Sequence, residues 1–279
     1  YVKAAFLADI TAGNASSPYI SKIDAVEILG TMLGGYNVEP LIRCLEIEEL
    51  AETASHVLGR TLLIFDAFNE IFELSKKNKY AKKVIEEWAD AKWFTEKEDI
   101  KDQIKLTVFK VSGEINTDDL SPAPDAWSRP DIPLHALAMF KMPRTGLDDP
   151  LGTIEKLKEK GNPLVFVGDV VGTGSSRKSA TNSVLWHMGD EIPHIPNKKE
   201  GGYCFGGKIA PIFFNTLEDS GAFPIEMDVS KMLMGQEIIL EPLKGRVIDA
   251  NTNETLSEFK LKTDVLLDEV RANGRIPLI

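Results

Sequence analysis

Near residue 100 the apolar residues of this 279-residue chain change their spacing, and that change dictates two kinds of fold in succession. From Ser21 to about Trp93 they recur at helical intervals. Ser21 and Asp24 make a capping box ahead of Ile23, Val26, Leu29 and Leu33, and Gly34 and Gly35 stop that helix. Pro40 suits the first turn of a short helix carrying Leu41, Ile42 and Leu45. Ile47, Leu50, Ala51, Ala54, Val57 and Leu58 then follow the i, i+3, i+4, i+7 rule. Phe65, Phe68, Ile71 and Phe72 form a further stripe, read as core, and Tyr80, Val84 and Trp88 another. Helices this short cannot bury their faces singly. Stacked pairs in a HEAT-like solenoid are therefore expected over residues 1–100, in preference to a compact bundle that the same periodicity would also allow.

The charged run TEKEDIKDQIK, from Thr95 to Lys105, is a linker or a helix exit. Beyond it Leu106, Val108, Phe109 and Val111 read as a strand, and Leu164 to Val167 as another, followed by a glycine-rich turn and the helical SRKSATNSVLWHM. Further strands are expected at Lys208 to Phe213, Pro224 to Val229 and Gln236 to Leu240, with a hairpin around Asn251 and Asn253. Thr263 is placed to cap a last helix through Leu267 and Val270. Residues 101–279 thus predict a mixed α/β domain after the helical one.

Composition narrows the functions open to such a chain. A net charge of −11 repels polyanions, so nucleic acid or an anionic membrane would need a local basic patch. Lys76, Lys77, Lys79, Lys82 and Lys83 are the candidate, but Glu70, Glu73, Glu86 and Glu87 flank them, as on a solvated face. The two cysteines, Cys44 and Cys204, lie far apart and in different predicted domains, which speaks against a disulfide framework and fits a reducing cytoplasm. No Cys/His spacing suggests a metal site, no apolar run reaches the ~18 residues of a membrane span, and no signal peptide opens the chain. A start at Tyr1 in place of Met suggests a fragment.

The stretch with most chemistry in it is GDVVGTGSSRK, Gly168 to Lys178, where small residues between a strand and a helix let backbone N–H groups converge on an anion. Three familiar motifs fail there. A dinucleotide fingerprint wants glycine where Arg177 stands, a Walker loop wants glycine before Lys178, and a nucleophile elbow wants glycine two residues beyond Ser175 or Ser176. A second stretch, GEINTDDLSPAPDAWSRPDIP from Gly113 to Pro133, reads as a long polar loop that holds Arg129 among prolines, pre-organised to grip a carboxylate. Two arginines on two loops suit a polycarboxylate. The four histidines, His56, His135, His187 and His194, have no paired carboxylate in sequence and take structural or surface readings.

The pair TDDLSPA, Thr117 to Ala123, and GTGSSRK, Gly172 to Lys178, resembles the swivelling domain of the aconitases, whose patterns run TDHISPAG and GSGSSRE. GGKIAPIFFNTLEDSGAFPIE, Gly206 to Glu226, resembles the segment that follows them. With a helical region in front, the order is similar to that of the B-type (bacterial) aconitases. Asp119 stands where many members have His, and Lys178 where they have Glu, so no role passes to those two positions.

The resemblance implies a HEAT-like domain over 1–100 and an aconitase-type swivelling β/β/α domain over 101–279. It implies an aconitate hydratase interconverting citrate and isocitrate through cis-aconitate, with 2-methylisocitrate dehydration as a related reaction. Ser175 would be the base, with Ser176 and backbone N–H groups supporting it. Arg129 and Arg177 would hold substrate carboxylates, and Asp118 would order the hydrogen bonds. A 4Fe-4S cluster is implied, with ligands outside this chain, in cluster-bearing domains of the same polypeptide. Such a fragment alone would be inactive. From a different class comes a binding module, in which the helical domain serves self-association as a homodimer or captures messenger RNA. The small subunit of an isopropylmalate or homoaconitate isomerase shares the swivelling domain, but the helical first hundred residues argue against it.

Overall fold

The computed structural model describes residues 1–32, 35–61 and 67–278, so Leu33, Gly34 and Phe65 lie outside the described residues. The chain forms two compact units, Tyr1–Lys97 and Glu98–Ile279. Among the described residues, no helix is long and apolar enough to cross a membrane.

The first unit holds helices α1 (Val2–Ala12), α2 (Lys22–Gly30), α3 (Val38–Cys44), α4 (Ala51–Leu58), α5 (Phe68–Ser75), α6 (Lys79–Ala89) and the single turn α7 (Lys92–Thr95). The capping box forms as expected: Asp24 N–H donates to Ser21 Oγ at 3.1 Å and Ser21 N–H to the Asp24 carboxylate at 2.8 Å. α2 packs on α1 and α4, α4 on α6, and α6 on α5, around Leu7, Leu29, Leu41, Leu50, Leu58 and Ile71. Polar ties support the packing, with Trp88 Nε1 donating to Leu58 O at 2.8 Å and Asn78 Nδ2 to Leu45 O at 2.8 Å. Two expectations need correction. The helix expected from Ile47 begins only at Ala51, and of the Phe68, Ile71 and Phe72 stripe Ile71 alone is buried, Phe68 and Phe72 being 44% and 45% exposed. An eight-residue helix has one face against its neighbour, and Ile71 fills it. Phe68 instead stacks on Phe72 and Trp88.

The second unit is built on a seven-stranded sheet in the order β6-β5-β2-β1-β7-β8-β9. Its strands are β1 (Ile104–Asn116), β2 (Leu164–Thr173), β5 (Tyr203–Ile209), β6 (Phe223–Glu226), β7 (Glu237–Glu241), β8 (Arg246–Asp249) and β9 (Thr255–Glu258); β3 (Asp190–Ile192) and β4 (Ile195–Glu200) make a separate ribbon. β1, β2, β5 and β6 run parallel, and β7 to β9 form an antiparallel wing on β1. Helices α8 (Thr117–Leu120), α9 (Ile132–Ala136), α10 (Pro150–Lys158), α11 (Arg177–Met188), α12 (Pro211–Asp219), α13 (Val265–Ala272) and α14 (Arg275–Leu278) complete it. Phe109, Phe166, Phe205, Phe213 and Phe223 are wholly buried at its centre. Fully burying side chains of this size contributes ~1.5–3 kcal/mol each.

Here too the elements depart from expectation in places. The strand expected through Phe213 ends at Ile209, because Pro211 begins α12, at the position where its missing N–H costs nothing and where Phe213, Phe214 and Leu217 share the buried face. Asp264 in place of Thr263 precedes α13, without a side-chain cap. The glycine-rich stretch from Gly168 to Thr173 is not a turn but the end of β2. Gly172, at φ 81°, leaves room for the Phe213 ring, which an added Cβ would meet at 2.2 Å. Nor is Gly113 to Pro133 an open loop: it contains the end of β1, α8 and a 3-10 turn over Ala123–Ser128.

Candidate active site

β1 and β2 end side by side, with Asn116 opposite Thr173; β1 runs directly into α8, and β2 reaches α11 through Gly174, Ser175 and Ser176. Ligands of parallel sheets collect beyond such carboxyl ends. On the β1 side Asn116 caps α8, its Oδ1 accepting the N–H groups of Asp118 at 2.7 Å and Asp119 at 3.1 Å, while Asp119 accepts the Asn116 N–H at 2.9 Å. On the β2 side Gly174 adopts φ 107°, and a Cβ there would fall 2.5 Å from Thr117 Oγ1. That close approach lets the Ser176 N–H donate to Thr117 Oγ1 at 3.1 Å, which pins the two turns together.

Four of the five expected residues converge there. Ser176 is the N-cap of α11, yet its hydroxyl caps no N–H of its own helix and accepts from Arg129 Nη2 at 3.0 Å. Arg129 is held further by Ser121, through Nε to Oγ at 3.1 Å and Nη2 to the carbonyl at 3.1 Å. Arg177 donates through Nη1 to Gly174 O at 2.8 Å. Ser175, between Gly174 and Ser176, is exposed and its hydroxyl makes no hydrogen bond among the described residues. Asp118 lies on α8 with an exposed carboxylate that likewise makes none.

Charge balance sets two of these residues apart. Of the eight arginines, Arg43, Arg60, Arg144, Arg246, Arg271 and Arg275 each have a carboxylate beside them. Among the described residues Arg129 and Arg177 have none. Two unneutralised guanidinium groups at the N-terminus of a twelve-residue helix form a positive corner on a chain of net charge −11. Asp119, by contrast, is spent on Arg144 at 3.2 Å, and Arg144 ties down the carbonyls of Ser112 and Glu114 at 2.6 Å each.

Behind Arg129 lies a buried polar chain that a search for carboxylate-paired histidines does not find, because its members are hydroxyls. His135, on α9, sits with Nε2 2.7 Å from Ser121 Oγ and Nδ1 2.8 Å from Ser128 Oγ. Burial first, and then the Arg129 cation, push its pKa below the ordinary histidine value. Ser121 lies inside the TDDLSPA stretch, and that location is the one sequence signal pointing to the chain. His187 is buried against Ala136 O at 3.1 Å, and His56 and His194 are exposed. Among the described residues no group of three His, Cys, Asp or Glu is arranged to hold a metal. Cys44 and Cys204 are both buried, and burial pushes the Cys204 thiol up to about 12.

Comparison with known proteins fits this geometry to a family. Residues 106–279 match the model of the aconitate hydratase 2 N-terminus, and residues 1–94 that of the aconitate B N-terminal domain. The chain is 60% identical over 287 aligned residues to aconitate hydratase B of Escherichia coli, and 52% identical over 280 to that of Helicobacter pylori, covering 100% of itself and 33% and 32% of those proteins. It thus spans about a third of the length of the curated relatives it matches. A solved 3-isopropylmalate dehydratase from Methanocaldococcus jannaschii is similar at TM-score 0.47 and 20% identity, over 63% of this chain and 92% of that one. On the strength of both family models, the chain belongs to the aconitate hydratase B family.

Proposed function

We propose that this chain supplies the substrate-gripping and proton-abstracting part of an aconitate hydratase that interconverts citrate and isocitrate through cis-aconitate, with 2-methylisocitrate as a related substrate. One observation carries the reading: Arg129 and Arg177, the arginines without a carboxylate partner among the described residues, bond to Ser176 Oγ and Gly174 O, the two residues on either side of the exposed Ser175. An enzyme that takes a tricarboxylate needs cations left unmatched until the ligand arrives. Arg129 and Arg177 would each hold a substrate carboxylate, Arg129 offering the edge that Ser121 and Ser176 leave open.

Abstraction of a proton beside a carboxylate puts charge onto that carboxylate, so the same arginines lower the barrier. Ser175 Oγ would take the proton from carbon. A serine is a weak base in water, and here its alkoxide would face the α11 N-terminus and Arg177. Ser176 and neighbouring N–H groups would support that charge, and Asp118 would order hydrogen bonds once the ligand is seated. In aconitases a 4Fe-4S cluster supplies the Lewis acid for loss of hydroxide. The residues of this chain do not fit it, since Cys44 and Cys204 are buried in separate units, so its ligands are assigned to cluster-bearing domains of the same polypeptide.

We infer also that the second unit is the swivelling domain of residues 101–279, and that the first, residues 1–100, is a HEAT-like stack. The row α2, α4, α6, with α1, α3 and α5 packed beside it, supports that reading. An RNA-binding role gains nothing from the lysine cluster, where Lys76, Lys82 and Lys83 each face a glutamate. Self-association through the helical unit is a matter for sedimentation of the chain. The chain alone is expected to be inactive. The test is a chimera in which it replaces the matched third of the Escherichia coli enzyme: Ser175→Ala should cut kcat by about 10²–10⁴-fold with KM nearly unchanged, as for loss of a general base. Unchanged turnover would rule the assignment out.

A further inference from the structure

Arg129 keeps its pose through hydroxyls, and the donor and acceptor roles along them can be worked out from one end. Ser128 Oγ gives its single proton to Asp125 O at 2.7 Å, so it offers His135 Nδ1, 2.8 Å away, only a lone pair. Nδ1 must then carry a hydrogen. In a neutral ring Nε2 is left as an acceptor, and neutrality is favoured by burial and by the Arg129 cation, against the weaker pull of Asp125, whose carboxylate is engaged by Lys141. Nε2 takes the Ser121 proton across 2.7 Å. Ser121 then accepts from Arg129 Nε–H at 3.1 Å and from Ser179 Oγ at 2.8 Å, which requires the Ser179 hydrogen to leave its longer, 3.1 Å contact with Ser176 O while Ser128 keeps its 2.7 Å bond to Asp125 O. With Nε anchored, Nη2 reaches Ser121 O and Ser176 Oγ. Ser121, His135 and Ser128 are 0%, 2% and 4% exposed, so neither serine can serve as a nucleophile.

We propose that His135 is a positioning residue: as the Nδ1–H tautomer it orients the Ser121 hydroxyl, and through it the angle at which Arg129 presents its guanidinium to a ligand carboxylate. This inference deepens the function proposed above and rests on it.

Two measurements test it. Nitrogen-15 NMR of the chain should show His135 neutral and protonated on Nδ1 at neutral pH; an Nε2–H tautomer or an imidazolium would overturn the proposal, whatever the variants do. In the chimera, His135→Phe keeps volume but removes the acceptor, whereas His135→Gln keeps an acceptor close to Nε2. The Phe variant should raise KM for isocitrate about tenfold or more, with a smaller fall in kcat, and the Gln variant should stay within about threefold of the parent. A purely structural role would penalise both alike, and equal losses would overturn the proposal. If His135→Phe does not fold, the Gln variant and the tautomer still decide it. Arg129→Ala, run alongside, separates the two readings: if it is silent the site assignment itself fails, and if it is crippled while His135→Phe is silent only this inference does.

Discussion

The antiparallel wing of the large sheet and two arginines at the ends of β1 and β2 show charge handled in two ways. In the antiparallel wing Glu241 is 1% exposed and fully matched, accepting from Gln103 at 2.9 Å, from Lys244 at 2.8 Å and from Arg246, bonds that hold its pKa down to about 2. Asp249 is held down to about 2 in the same manner, by Gln236 first and then by the N–H groups of Thr252 and Asn251. At the carboxyl ends of β1 and β2 Asp119 still pairs with Arg144, but Arg129 and Arg177 are bound by neutral oxygens. Matched charges tie the wing's strands and turns together; unmatched ones leave interactions for a ligand to make. The distinction is between fixing the fold and serving it, and it can be broken experimentally at either end.

Among changes to charge and backbone, the largest effect is expected at Arg177. Arg177→Lys in the chimera keeps the charge but loses the planar fork, and kcat/KM should fall about a hundredfold or more, equivalent to ~2.7 kcal/mol at ~1.36 kcal/mol per decade. The melting temperature should stay where it was, because the guanidinium contributes one exposed hydrogen bond to the fold. A variant that melts early with normal kinetics would place Arg177 with the wing and not against it. Next comes Gly174→Ala, whose Cβ would sit 2.5 Å from Thr117 Oγ1 at φ 107°. A strained backbone of this kind costs ~1–3 kcal/mol, and citrate binding should weaken with it because the Thr117 to Ser176 tie is lost. Gly245→Ala in the wing, at φ 64° with Phe259 O 2.5 Å away, should cost stability of the same order and leave turnover untouched.

Much of this division was legible in the residues. The period change near residue 100 and the division between Lys97 and Glu98 fall close together in the chain, and the Ser21 box, β1, β2 and the hairpin around Asn251 and Asn253 follow from local patterning. Arg129, Ser175, Ser176 and Arg177 are named from two polar stretches and from the family resemblance that those stretches carry. What stayed hidden was long-range. Nothing local shows that Ser121, Ser128 and His135, seven residues apart at each step, share one buried chain, or that six arginines find carboxylates and two do not. Nor does helical spacing show that an eight-residue helix buries Ile71 and leaves Phe68 and Phe72 out.

Smaller effects belong to the wing. A carboxylate whose folded pKa is depressed stabilises the fold above its unfolded value of ~4.3 and loses that contribution as the pH falls toward the folded one, about 2 for Glu241. Amide exchange in β7 and β8 should therefore accelerate as the pH is lowered through this window, at the intrinsic rate corrected for pH, and Glu241→Gln should flatten the dependence. A wing that ignores acid would mean that its ions are ornaments of the surface.

The smallest effect is expected at Lys231, which faces Glu254 across 3.8 Å with the two side chains 56% and 69% exposed. Its charge is nominally matched, as that of Arg246 is, but water screens both partners, and pairs of this kind are worth ~0.2–1 kcal/mol at most. Lys231→Ala should lower stability by about 0.5 kcal/mol or less, insensitive to salt above ~0.15 M, and should leave the kinetics of the chimera unchanged. A loss well above ~1 kcal/mol in chemical denaturation would show that matching alone holds the wing, whether or not the pair is buried. The contrast with Arg129 and Arg177 would then rest on pairing, and the burial of Glu241 would no longer be needed to explain how the wing holds its fold.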